Sequence, residues 1–163
     1  MSGSALSFGS AARLYDSIRP TYPVRAVTWA VGAEPVRVLD LGAGTGLLAG
    51  ALRAVGHEVI AVEPDRQMRA VAAERHPGTQ VLAGSAEDIP LPDESVDAVV
   101  VGQAYHWFTP QDALPQIHRV LRKGAPSLRC GTSVTIGPRG WRRCPASSAP
   151  RGTAWKVPGS TVR

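Results

Sequence analysis

Apolar positions along this chain follow two patterns that take turns. Short, nearly continuous apolar runs occupy residues 36–41, 57–63, 81–83 and 96–102. Between them apolar residues recur every three or four positions, first at Leu47, Leu48, Leu52 and Val55, then at Met68, Val71 and Ala72. A continuous run suits a parallel strand covered on both faces, and the wider spacing suits a helix with one buried stripe. The punctuation agrees: Gly56 follows the first helical stretch and Pro77-Gly78 the second. Thr109-Pro110 opens a third, which runs to Val120-Leu121. Strands alternating with helices predict an α/β fold, a doubly wound and mostly parallel sheet with right-handed crossovers.

Upstream of the first strand, Phe8, Ala11, Ala12, Tyr15 and Ile18 fall at helical spacing, and Arg19-Pro20 ends that helix. A second short helix starts at Tyr22-Pro23 and ends at Gly32. The chain therefore divides into a helical segment over 1–35, an α/β body over 36–124 and a tail over 125–163.

Charge sharpens the last boundary. All 13 acidic residues lie at or before Asp112, and residues 1–121 hold 9 Lys and Arg, a net of −4. Residues 122–163 carry the other 9 basic residues and no acid, so the formal +5 of the whole chain belongs to the tail. That distribution gives no basic face on the folded body, so no specific nucleic-acid partner is expected. Of the 42 residues from Arg122, 27 are Gly, Pro, Arg, Ser or Ala, and only 132–136 reads as a strand. An irregular tail is expected. Its two cysteines, Cys130 and Cys144, have no histidine between or after them, which argues against a metal site. No basic, apolar leader opens the sequence and no apolar run has membrane-spanning length, so a cytoplasmic protein without a membrane partner is expected.

The chemistry concentrates in Val38-Leu39-Asp40-Leu41-Gly42-Ala43-Gly44-Thr45-Gly46. An apolar run ends in an acid, and three alternating glycines lead into a helix. Glycines there let the backbone turn sharply and let a ligand approach it, and the helix start offers unpaired N–H groups. Taken alone, this could be an ordinary strand-to-helix turn. The next run ends in Glu63, seventeen residues after Gly46, where an acid can accept the hydroxyls of a ribose lying across the first turn.

Together, the Gly-x-Gly-x-Gly turn, Glu63 and the Pro64, Asp65 and Met68 behind it resemble the class I S-adenosylmethionine-dependent methyltransferases. The resemblance is closest to the branch known as the type 11 methyltransferase domain and covers about 8–124. It implies a Rossmann-like fold, S-adenosyl-L-methionine as cofactor and a small-molecule methyl acceptor. The methionine end of the cofactor is expected against Gly42, Ala43, Gly44 and Gly46, with Asp40 holding the loop or reaching the ammonium. Glu63 would take the ribose, while Pro64, Asp65 and Met68 border the adenine. Gly84-Ser85-Ala86-Glu87-Asp88-Ile89-Pro90-Leu91-Pro92 resembles the adenine-side loop, with Ser85, the Ala86 N–H and Glu87 as contacts; many relatives carry an acid where this chain has Ser85. Gln103-Ala104-Tyr105-His106-Trp107-Phe108 resembles the segment between cofactor and acceptor. Gln103 and Ala104 would border the methionine chain, and His106 and Trp107 the acceptor. His106 is the candidate base if the acceptor is a hydroxyl. Tyr15, Arg19 and Tyr22 sit in a segment similar to the family's lid over 1–35, though the tyrosines could equally pack the helix on the sheet.

After Gly124 the resemblance stops. Relatives continue into three further strands and the rest of the acceptor pocket, whereas here the acids vanish. Codons permitted for Arg129 through Cys144, read two bases later, can spell a string containing Asn-Glu-Arg-Asp and Pro-Trp-Val, similar to the family's continuation. The sequence thus suggests a frameshift near Gly124, an incomplete sheet edge and a non-catalytic fragment as one alternative. A nicotinamide-dependent oxidoreductase is another, since it shares a glycine turn and an acid after the second strand.

Overall fold

The structure, a computed structural model, describes residues 22–123 and the backbone of three strands beyond them. In chain order the elements are α1 (Val24–Val31), β1 (Arg37–Leu41), α2 (Leu47–Ala54), β2 (Glu58–Glu63), α3 (Arg66–Arg75), β3 (Gln80–Ala83), β4 (Ala98–Val101), a 3₁₀ turn (Tyr105–Trp107) and α4 (Pro110–Val120). Strands β5 (Leu128–Cys130), β6 (Val134–Gly137) and β7 (Gly140–Arg143) follow. The candidate site residues Tyr15 and Arg19, and the helix expected over 8–18, lie outside the described residues.

The sheet order is β3-β2-β1-β4-β5-β6-β7. Strands β1 to β4 pair in parallel, with Leu39 opposite both Ile60 and Val99. The chain winds outward from β1 to β3, then returns to place β4 on the other side of β1. This reversal leaves a crevice beyond the carboxyl ends of β1 and β4, where open α/β sheets bind ligands.

Alternation along the strands sends side chains to two separate cores. On one face Leu39, Leu41, Ile60, Val62, Val99 and Val101 pack with Ala113, Ile117 and Val120 of α4. On the other, Val38, Val59, Ala61, Ala98 and Val100 pack with Val27 of α1 and Leu48, Ala49 and Leu52 of α2. Val38, Leu39, Leu41, Val62 and Val99 are completely shielded from solvent, as a central parallel sheet requires.

The tail departs from expectation. Strand β5 pairs in parallel with β4, from Val99 opposite Leu128 to Val101 opposite Cys130, and β6 and β7 add on as antiparallel neighbours. Irregular chain and an open β4 edge were expected there. Over 128–130, 134–137 and 140–143 the backbone is strand instead, because the unpaired N–H and C=O groups of a strand edge recruit a segment able to extend. The segment Val134–Gly137 overlaps the strand expected over 132–136 and supplies β-branched residues for it.

Candidate functional site

Four loops meet beyond the carboxyl ends of β1 to β4. The first is the glycine turn. Gly42, Gly44 and Gly46 all adopt positive φ, at 72°, 58° and 84°, which a side chain would strain. They differ in what surrounds them. A Cβ on Gly42 would stand 2.5 Å from that of Ala104, and one on Gly46 would stand 2.9 Å from the His76 ring. A Cβ on Gly44 would meet nothing within 4 Å. Gly42 and Gly46 are thus glycine for packing, and Gly44 faces open space. The Gly42 and Ala43 N–H groups both donate to Val62 O, at 2.8 and 3.1 Å, pinning the turn to β2.

Beneath the turn lies Asp40, 1% exposed. Among the described residues neither carboxylate oxygen makes a well-formed hydrogen bond, although the Ala49 N–H lies close enough to act on its charge, and the buried Thr45 hydroxyl makes none. Burial pushes the Asp40 carboxyl up to about 7; the Ala49 N–H works against that shift and the charge of Glu63 adds to it. Unsatisfied buried polar groups are costly and uncommon, and two neighbouring residues carry them at this turn. An ammonium or hydroxyl donor reaching this turn would relieve them. These acceptors are chemically suited to the ammonium of an amino acid group.

The second loop begins at Glu63. Its Oε2 accepts from the Gly44 N–H at 2.9 Å and its Oε1 from the Asp65 N–H at 2.9 Å. Glu63 is thereby a strut between the two loops, with lone pairs left over for a further donor. Burial raises its carboxyl, the Asp65 and Gly44 N–H groups lower it, and the nearby charges of Asp65 and Arg69 pull in opposite directions. Asp65 caps α3, with Oδ1 accepting from the Gln67 and Met68 N–H groups at 2.8 and 2.9 Å. Pro64 offers its carbonyl to Arg69, whose Nη1 donates to Glu63 O at 2.8 Å and Pro64 O at 2.7 Å. Met68 is buried in a small cluster with Val71.

The third loop carries Ser85, Ala86 and Glu87. Ser85 and Asp88 exchange backbone hydrogen bonds, and the Ser85 hydroxyl accepts from the Glu87 N–H at 3.2 Å. Ala86 is buried against the α4 core. Glu87 Oε1 accepts from the Thr109 N–H at 2.8 Å, joining this loop to the start of α4. Burial acts to raise the Glu87 carboxyl, but the Thr109 N–H and the Ser85 hydroxyl outweigh it and hold it below its ordinary value.

The fourth loop is Gln103 to Phe108. Gln103 is exposed, while Ala104, Tyr105 and Phe108 pack on the α4-side core. Tyr105 and Phe108 meet edge to face at 5.9 Å. His106 is exposed and lies against the half-buried Trp107, with ring centroids 4.6 Å apart. Tyr22 reaches this end of the sheet: a Cβ on Gly102 would stand 2.8 Å from its hydroxyl. Its ring also packs on the core that holds Val27 and Leu48.

The four sequence motifs thus converge at one end of the sheet. Sequence reasoning did not pick out three contributors: Arg69, which braces the Glu63 turn; His76, whose ring lies over Gly46; and Arg119, which holds the third loop. Only Arg69 had a signal, an arginine one turn into the helix behind Glu63. The other two act across long sequence separations. Among the described residues, no three His, Cys, Asp or Glu side chains could hold a metal ion, and no helix is long and apolar enough to cross a membrane.

Comparison with known proteins agrees with this arrangement. The family described as "Methyltransferase domain" matches residues 39–126. An uncharacterised methyltransferase of Mycobacterium tuberculosis is 51% identical over 120 residues, covering 74% of this chain and 49% of the relative. A malonyl-[acyl-carrier protein] O-methyltransferase of Methylococcus capsulatus is 35% identical over 130 residues, 73% of this chain and 47% of that protein. The chain thus spans about half the length of the curated relatives it matches. Among solved structures, a methyltransferase from an antibiotic biosynthesis pathway of Anabaena variabilis is similar at 34% identity and TM-score 0.58, covering 64% of this chain and 42% of that one. An S-adenosyl-L-methionine-dependent methyltransferase of Methanococcus maripaludis shares the fold at TM-score 0.67 and 22% identity, covering 77% and 65%. The oxidoreductase alternative finds no support, because the matched family and these relatives are methyltransferases. The chain belongs to the methyltransferase domain family.

Proposed function

We propose that this chain binds S-adenosyl-L-methionine across the glycine turn and transfers its methyl group to a small organic acceptor. The observation that carries the reading is the open Gly44, tied to Glu63 in the turn that follows Asp40, where the Asp40 carboxylate and the Thr45 hydroxyl make no well-formed hydrogen bond among the described residues. When bound, the cofactor would supply an electrophilic methyl on a sulfonium that is already a good leaving group. The protein's task is then mainly alignment, which can contribute roughly 7–11 kcal/mol in favourable cases. Asp40 and Thr45 would hold the amino acid end, and Glu63 would accept from the ribose. Ser85, Ala86 and Glu87 would border the base, with Pro64, Asp65 and Met68 behind them. Gln103 and Ala104 would flank the methionine chain. The exposed His106 and its neighbour Trp107 face the acceptor in this reading, with His106 available as a base for a hydroxyl acceptor. That one relative is named as methylating a malonyl-carrier protein makes carboxylate acceptors a natural first choice for assay.

The test is transfer of labelled methyl from S-adenosylmethionine to a panel of small carboxylic acids, alcohols, thiols and amines. Transfer to any of them supports the assignment. Cofactor binding without transfer to any class favours a second reading, a cofactor-binding domain without turnover, which draws on the loss of acidic residues after Asp112.

A further inference from the structure

The guanidinium of Arg119, near the end of α4, makes five hydrogen bonds. Nη1 donates to Leu91 O at 2.7 Å and Asp93 Oδ1 at 2.9 Å, and Nη2 donates to Ile89 O at 2.8 Å. Nη2 and Nε both reach Gln116 Oε1, at 2.8 and 3.1 Å, which orients the group from its own helix. The side chain is 31% exposed, so much of this network is sheltered from water. Three of the acceptors lie on the loop after β3. A backbone that leaves its ladder must satisfy its carbonyls elsewhere, and a planar guanidinium fork serves two at once in a fixed geometry that a flexible ammonium does not hold.

The opposite end of α4 holds the same loop. Glu87 Oε1 accepts from the Thr109 N–H at 2.8 Å. Residues 87–93 are therefore fastened to one helix at both its start and its end. The segment that would meet the base, Ser85 to Glu87, opens this fastened loop and is held by the Glu87–Thr109 bond and by the backbone pair of Ser85 with Asp88. Gly84 behind it has no slack, since a Cβ there would stand 2.6 Å from the Pro90 ring.

We propose that Arg119 is a positioning residue for base selection: it holds the loop after β3 against α4 so that Ser85 and the backbone beside it present fixed partners to adenine. The proposal rests on the cofactor reading above. Hydrogen bonds to the adenine edge discriminate only if donor and acceptor stay in register, so loosening the loop erodes selectivity more than it erodes general contact.

The experiment pairs Arg119→Gln and Arg119→Lys with wild type. Calorimetry gives affinities for S-adenosylhomocysteine and S-inosylhomocysteine, whose bases differ in the exocyclic group and in the protonation of the adjacent ring nitrogen. Hydrogen exchange without ligand reads the amides of 85–93. Arg119→Gln is expected to bind the adenine ligand about tenfold more weakly, with little change for the inosine ligand. Faster exchange at 85–88, together with the 89–93 segment that Arg119 contacts, should accompany this, and Arg119→Lys should fall between. Equal weakening of both ligands, or unchanged exchange at 85–88 in the folded Lys variant, overturns the proposal. If wild type binds neither ligand, the cofactor reading fails by itself, and exchange alone still decides whether Arg119 positions the loop.

Discussion

The Gly44 N–H donates to Glu63 Oε2 at 2.9 Å, so the middle of the glycine turn hangs on the last residue of β2. With the Asp65 N–H on Oε1, Glu63 faces a backbone donor with each oxygen. Glu63→Gln turns an NH₂ group toward one of them and leaves a donor facing a donor. We expect a loss of about 1–3 kcal/mol in folding stability, the typical penalty for stranding a buried polar group. Urea denaturation measures it, and wild-type stability would contradict the strut.

The three glycines separate by experiment. Gly44→Ala meets only the left-handed backbone penalty of about 1–2 kcal/mol, because its Cβ enters open space. It should fold and lose cofactor binding. Gly42→Ala adds a collision with Ala104 and should destabilise more. Thermal melts of both variants beside titrations with S-adenosylhomocysteine check the order. A Gly44→Ala protein that binds normally contradicts a ligand seated on the turn.

Asp40 predicts a pH dependence of opposite sign to that of most carboxylates. Its folded value of about 7 lies above the ordinary 3.8. Between those values the native state keeps a proton that the unfolded chain has lost. Its contribution therefore lowers stability as pH rises from about 4 to about 7, then levels off. Asp40→Asn should match wild type near pH 4 and be more stable by roughly 2–4 kcal/mol at pH 8. A ligand ammonium would favour the ionised carboxylate, so cofactor affinity should rise with pH through the same window. Denaturation and titration at several pH values measure both trends; flat profiles contradict them.

Much of this was legible in the sequence, for a physical reason. A parallel sheet buried on both faces writes itself as continuous apolar runs, and a ligand turn writes itself in glycines. All four strands of the body and the helices between them fell within a residue or two of their expected places. The roles of individual polar groups were harder to read. Asp65 was expected beside a base, and the structure gives its carboxylate to the α3 cap. Thr109-Pro110 was expected to open α4, and Thr109 holds its N-cap position, yet its side chain makes no cap bond and its N–H serves Glu87. The Thr109–Glu87 bond joins segments 22 residues apart, where local pattern carries no information, whereas the Asp65 cap is local and an acid just ahead of a helix is a readable cap signal. Strands β5 to β7 escaped for the related reason that an open edge imposes extension on a segment with little periodicity of its own.

On the acceptor side, Trp107→Ala removes the ring that His106 lies against, while Tyr105 and Phe108 keep their contacts with the core. Methyl transfer should fall and affinity for S-adenosylhomocysteine should hold. Equal losses in both would move Trp107 to the cofactor.

The central claim is that the Gly44–Glu63 turn is a cofactor seat, and calorimetric titration of the wild-type chain tests it most directly. The account predicts saturable binding of S-adenosylhomocysteine, none of NADH, and a loss of about 1.5–3 kcal/mol in binding energy for Glu63→Ala. Absence of S-adenosylhomocysteine binding by the folded wild type, or unchanged affinity in Glu63→Ala, would contradict it.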